Sequence, residues 1–154
     1  MSEASSQAPR ETSGVYLVIK EGDNALFMHR FVGYQAGNYM LPGGTVENES
    51  PTDATVRETL EELGLSIKSS DLILIHVMYR APHDETGSRV DWFFETPKGT
   101  DEPQNMEPHK CDELSLLSLN DLPENIPTYV KIALKNAREG IMYSEFGWSD
   151  GDSN

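Results

Sequence analysis

The sequence predicts a single α+β domain, in which a mixed, layered sheet carries helices on both sides. Short runs of branched and aromatic residues, punctuated by Gly, Pro, Asn and Asp, read as strands. Segments with helical apolar spacing fall between those strands, and 154 residues suffice for one substantial core. No internal repeat and no linker-like stretch divides the chain, so residues 14–148 are expected to form the domain. Residues 1–13, small and polar, read as a disordered leader, and 149–154 as a frayed tail.

In chain order, residues 15–20 (VYLVIK) are a strand candidate, 21–24 (EGDN) a hairpin turn and 25–30 (ALFMHR) the returning strand. Residues 31–38 form a loop with two glycines. Residues 39–41 lead into a Pro-Gly-Gly turn, followed by a short strand at 45–47. A helix is predicted over 51–63. Ser50 is its N-cap, Pro51 its first residue, Asp53 sits near the positive end of its dipole, and Gly64 is its stop. Val56, Leu60 and Leu63 recur at i, i+4, i+7 with Thr59 between them, which predicts the core-facing stripe. Residues 72–80 (LILIHVMYR) are the strongest strand signal and should pair antiparallel with 90–96 (VDWFFET) across a turn at 81–88. A polar loop at 97–110 precedes a strand at 114–119, a turn at 120–123 and a second amphipathic helix at 126–138. Beyond Gly140, Phe146 and Trp148 stand among acids and are expected to tuck back as an anchor.

The chemistry concentrates in residues 41–65, LPGGTVENESPTDATVRETLEELGL. Glu58, Glu61 and Glu62, at i, i+3 and i+4, share one side of the helix. Crowded carboxylates repel one another by a few tenths of a kcal/mol per pair, and a hard divalent cation reverses that sign. A solvated acidic helix with a good cap is the plainer reading of the same residues.

This stretch resembles the signature of the Nudix hydrolases, G-x5-E-x7-R-E-U-x-E-E-x-G-U with U a bulky aliphatic residue. Gly43, Glu49, Arg57, Glu58, Glu61, Glu62, Gly64 and Leu65 occupy its positions, and Thr59 stands where an aliphatic residue is usual. The interval from Gly44 to Glu49 is one residue shorter than in similar proteins, so either glycine carbonyl could face a metal. The resemblance implies an α/β/α sandwich with a mixed central sheet and a loop–helix–loop signature. It also implies MutT-like hydrolysis of a phosphoanhydride in a nucleoside diphosphate linked to another group, most simply a nucleoside triphosphate. Sugar nucleotides, dinucleotide polyphosphates and non-catalytic nucleotide binding are the alternatives.

On that reading Glu58 and Glu62 hold Mg²⁺ or Mn²⁺, and Glu61 is a further ligand or the base that deprotonates water. The backbone at Gly44 or Gly43 is an extra ligand, with glycine needed because a Cβ would block close approach. Arg57 pairs with Glu49 to fix the loop against the helix, or is simply an i, i+4 partner of Glu61. Gly43, Glu49 and Gly64 shape the signature. An acid on an opposing loop, Glu107 or the better placed Glu113, completes the metal site. Arg30 and Arg80 are candidates to reach a substrate phosphate, and Tyr39, Tyr34 and Trp92 to stack on a base. His29, His76, His83 and His109 form no metal-binding spacing.

The net charge of −14 argues against a nucleic-acid polymer or an anionic membrane as partner and leaves a small nucleotide substrate. A single cysteine, Cys111, excludes an internal disulfide and fits a reducing, cytoplasmic setting. No apolar run is long enough to span a bilayer, and residues 1–14 lack the apolar segment of a signal peptide. A homodimer is compatible with all of this.

Overall fold

The structure is a computed structural model that describes residues 8–149. Its elements follow in the order β1 (Glu11–Glu21), β2 (Asn24–Arg30), β3 (Tyr39–Met40), β4 (Gly43–Thr45), α1 (Pro51–Leu63), β5 (Ile73–Arg80), β6 (Ser88–Pro97), β7 (Cys111–Ser118), α2 (Thr128–Arg138) and β8 (Tyr143–Phe146), with a 3-10 turn at Ser69–Asp71. All the strands belong to one mixed sheet.

β1 is its spine. Along one edge it runs parallel to β6, from Glu11 opposite Ser88 to Lys20 opposite Pro97. The other edge is shared. The second half turns back into β2 through a hairpin, with Lys20 opposite Ala25, and the first half pairs with β4, with Tyr16 opposite Gly43. β2 also pairs with β3 and β7, and β6 continues through antiparallel β5 to β8, which runs parallel to β5.

Period-two alternation along β1 sends Val15, Leu17 and Ile19 to one face and Tyr16 and Val18 to the other. Both faces are covered, which is why the strand reads as a continuous apolar run. α1 closes the first face over Leu26, Met28, Phe94 and its own Ala54 and Leu63. α2 closes the second with Tyr129, Val130, Ala133 and Leu134 against Phe27, Met78 and Phe93.

Most expected elements are present, with shifted ends. β1 starts at Glu11, inside the stretch expected to be leader, because the parallel ladder with β6 begins there. The strand expected at 45–47 lies at Gly43–Thr45, where β1 offers its edge. The anchor expected near Phe146 is a strand, β8. His76, fully buried, holds it: Nδ1 bonds Ile141 O and Nε2 bonds Ser144 Oγ, both at 2.7 Å. Phe146 enters the core, while Trp148 stays half-exposed, stacked on Tyr79 and donating Nε1–H to the Tyr79 carbonyl at 3.1 Å. The expected leader through residue 7 and the tail from residue 150 lie outside the described residues.

The stripe expected on α1 is corrected. The buried residues are Ala54, Thr55, Thr59, Glu62 and Leu63, whereas Leu60 is 51 % exposed and Val56 only half-buried. The helix turns Glu62, not Leu60, toward the sheet. Thr55 and Thr59 tolerate burial because their hydroxyls donate to the carbonyls of Pro51 (2.8 Å) and Thr55 (2.7 Å).

Candidate functional site

Good caps fix both ends of α1. Ser50 Oγ accepts the Asp53 N–H at 3.2 Å, and Gly64 adopts φ +68° while its N–H reaches Leu60 O at 3.0 Å. The helix is thereby set with its acidic side against the glycine pair of β4.

The two glycines face different neighbours. A Cβ on Gly43 would run into the Val15 carbonyl of β1, whereas one on Gly44 would meet the Glu58 carboxylate at 2.5 Å. Gly43 N–H donates to Glu62 Oε1 at 2.8 Å. Glu62 is 7 % exposed, and burial pushes its carboxyl up to about 8; the Gly43 bond and Arg30 oppose this, while the charges of Glu58 and Glu107 add to it. Burial raises Glu58 as well, against the pull of Arg57.

Arg57 organises the rest. It grips Glu49 through Nε (3.0 and 3.1 Å) and Nη2 (2.6 Å), donates Nη2 to Thr45 O at 3.2 Å, and places Nη1 2.9 Å from Glu58 Oε1. The Glu61 contact is longer, at 3.4 Å, and Glu61 itself is largely exposed. These bonds hold Glu49 well below the ordinary carboxylate range and raise the guanidinium further. Both pairings weighed for Arg57 are therefore present, and the Glu49 clamp is much the tighter.

The donor set suits a hard divalent cation. It offers carboxylate oxygens, the backbone at Gly44 where an added Cβ would meet the Glu58 carboxylate, and two acids that burial pushes toward their neutral forms in the absence of a cation. Among the described residues no three acid, His or Cys side chains already converge as a cage, because Glu61 turns toward Arg57 and solvent. Glu58, Glu62 and the Gly44 backbone are the groups that could hold the ion.

Several expected residues lie elsewhere. Glu113 meets Tyr39, whose hydroxyl donates to it at 3.3 Å, and Ser115. The acid whose charge acts on both Glu58 and Glu62 is Glu107. Arg80, expected to reach a phosphate, is 3 % exposed; its Nε donates to Asp91 Oδ2, and its guanidinium sits 3.8 Å from the Tyr129 ring centroid. The β-strand pairing points it into the core instead of the cleft.

Arg30 does face the cleft. It lines a cavity of about 150 Å³ together with Tyr16, Tyr34, Glu62, Arg89 and the glycine pair, with Met28, Met40 and Cys111 along one wall, and its buried Nε has no hydrogen-bond partner. Sequence reading missed Arg89. The available signal was two charges, Arg89 and Asp91, alternating at the head of an otherwise apolar strand.

The NUDIX domain family model matches residues 9–136. A MutT NUDIX hydrolase from Burkholderia pseudomallei is similar over 82 % of this chain and 97 % of its own, at 27 % identity and TM-score 0.72. A MutT protein from Methanosarcina mazei Go1 shares the fold at 20 % identity and TM-score 0.69, covering 87 % of this chain and 97 % of that one. So does the NUDIX domain of Shewanella oneidensis NrtR, solved with ADP ribose, at 16 % identity and TM-score 0.63, covering 90 % and 92 %.

Proposed function

The chain belongs to the NUDIX domain family, and from that premise we propose that this MutT-like hydrolase splits a phosphoanhydride in a nucleoside diphosphate linked to a further group, most simply a nucleoside triphosphate. The observation that carries the reading is the pairing of half-buried Glu58 and buried Glu62 with a glycine whose Cβ position the Glu58 carboxylate occupies. Such a corner binds no substrate by itself, since polyphosphate and carboxylate repel.

Mg²⁺ or Mn²⁺ held by Glu58, Glu62 and the Gly44 backbone would neutralise phosphate charge and acidify the attacking water. The remaining work belongs to side chains. Arg57 keeps Glu49 and Glu58 in place, so the loop and helix present a fixed wall. Arg30, which lines the cavity, offers its guanidinium to a phosphate oxygen. Glu61, the most exposed carboxylate of the cluster, accepts the proton of the attacking water while the new O–P bond forms and the anhydride P–O bond breaks. The site is expected to accept a small nucleotide and no nucleic-acid polymer. Among the described residues no helix is long and apolar enough to cross a membrane.

The test is product analysis with Mg²⁺ on nucleoside triphosphates, ADP-ribose, sugar nucleotides and dinucleotide polyphosphates in ¹⁸O-labelled water. Wild type should release phosphate or pyrophosphate from at least one, and Glu61→Gln should reduce that release by about 10²–10⁴-fold. Nucleotide binding with no release beyond that of Glu62→Gln would replace this reading by a non-catalytic binding module.

A further inference from the structure

The cavity's two cations stand in different surroundings. Arg30 acts on Glu62 and Cys111, at the acidic end. Arg89 acts on Tyr16 and Asp91. It lies near the start of β6, opposite Thr12 of β1, on the same sheet face as Asp91 two residues on.

Asp91 leans first on Arg80 and second on Arg89. It is fully buried, and its Oδ2 already takes the Arg80 Nε–H. Its Oδ1 lies 3.7 Å from Arg89 Nε, and neither atom has a hydrogen-bond partner. Arg89 thus answers part of the Asp91 charge, and its side chain, 15 % exposed, forms part of the cavity wall together with Tyr16 and Tyr34. Gly14 makes the room: a Cβ there would lie 2.8 Å from Arg89 Nη2 and 2.9 Å from Asp91 Oδ1.

On the reading above the phosphates take Arg30 and the metal at Glu62, which leaves the ring the other side chains of the same lining, Tyr16, Tyr34 and Arg89. Resting on the hydrolysis proposed above, the geometry points to Arg89 as the residue that reads the base, its guanidinium fork donating to the neighbouring oxygen and nitrogen acceptors of a 6-oxopurine. A 6-aminopurine places an amino donor on that same edge, against a side chain that has only donors. The site thus rejects adenine by leaving donors facing donors in a half-buried pocket.

The experiment compares kcat/KM for GTP, ITP and ATP with Mg²⁺ in wild type, Arg89→Lys and Arg89→Gln. Wild type should prefer GTP and ITP over ATP by about tenfold or more. Arg89→Lys keeps the charge but loses the fork, so the ratio should fall toward one. Arg89→Gln, whose amide matches the adenine edge, should bring it to one or below. Calorimetric binding of GMP, IMP and AMP gives the same ranking without turnover. Preserved ranking without hydrolysis of any nucleotide would therefore overturn the proposed reaction and leave this inference standing. Equal use of GTP and ATP by wild type would overturn it. So would variants that weaken every nucleotide alike at an unchanged ratio, since Arg89 would then be holding a phosphate.

Discussion

The backbone N–H of Gly43 and the side chain of Glu62 meet at 2.8 Å, which ties the last turn of α1 to the strand edge through a carboxyl that is almost sealed from water. In the metal-free protein that carboxyl stays protonated up to about pH 8, whereas in the unfolded chain it ionises near its ordinary value of about 4.3. The folded state therefore holds this proton more tightly. Its contribution to stability is complete below pH about 4 and is lost as pH rises through about 8. In EDTA, wild type should lose stability relative to Glu62→Gln between those limits, measured by calorimetry at unit pH steps. Mg²⁺ must displace the same proton, so its affinity should climb by about tenfold per pH unit until about pH 8 and then level off. Parallel pH profiles for the two proteins would show that Glu62 is not the titrating group.

Substitution of Arg57 should separate activity from folding. Lysine keeps the charge but cannot span Glu49, Glu58 and the Thr45 carbonyl together. Arg57→Lys should lower kcat/KM by about 10–100-fold through misplaced carboxylates, with the melting temperature changed by only a few degrees. Turnover with and without saturating Mg²⁺, alongside thermal melts, checks this.

The adjacent glycines should respond differently to one added methyl. Gly43→Ala drives its Cβ into the Val15 carbonyl of the central strand, and overpacking of that kind costs about 1–3 kcal/mol or more, visible in urea titration. Gly44→Ala meets a side-chain carboxylate that can swing away. That protein should fold nearly normally and lose Mg²⁺ affinity, read by calorimetry.

The Arg80–Asp91 pair should prove structural. Asp91→Ala strands a buried guanidinium over the Tyr129 ring and should destabilise by about 3–5 kcal/mol in urea unfolding. Replacing both residues with apolar ones should recover part of that loss, because the buried guanidinium is removed with its partner and only the partly exposed Arg89 is left without its acid.

α1 and its glycine turn were legible because local chemistry dictates them. Ser50, Pro51 and Gly64 mark the ends of a helix whatever packs on it. The buried face of α1 was not legible, because apolar spacing favours Val56 and Leu60 while the tertiary fold turns Glu62 inward. Thr55 and Thr59 look polar on paper and are spent on their own helix carbonyls. The cleft's far wall was hidden for a topological reason. Arg89 and Asp91 reach Gly14 only through the parallel ladder between β1 and β6, and Arg80 finds Asp91 only once β5 pairs with β6. A single sequence carries residue types and spacing, and it does not carry which strand lies beside which. The last strand escaped notice because YSEF is short and half polar, and its hold on the sheet depends on a histidine far back in the chain.

The chain's two indoles belong to different parts of the architecture, Trp92 to the interior strand β6 and Trp148 to the turn just past β8. Lying flat on Tyr79, with ring planes 6° apart, Trp148 is placed as an optical gauge of whether that outermost strand is docked. Emission from a Trp92→Phe protein would follow the edge alone, and emission from Trp148→Phe would follow the middle of the sheet. A spectrometer could then time the closing of this molecule's margin against the assembly of its centre without any attached dye.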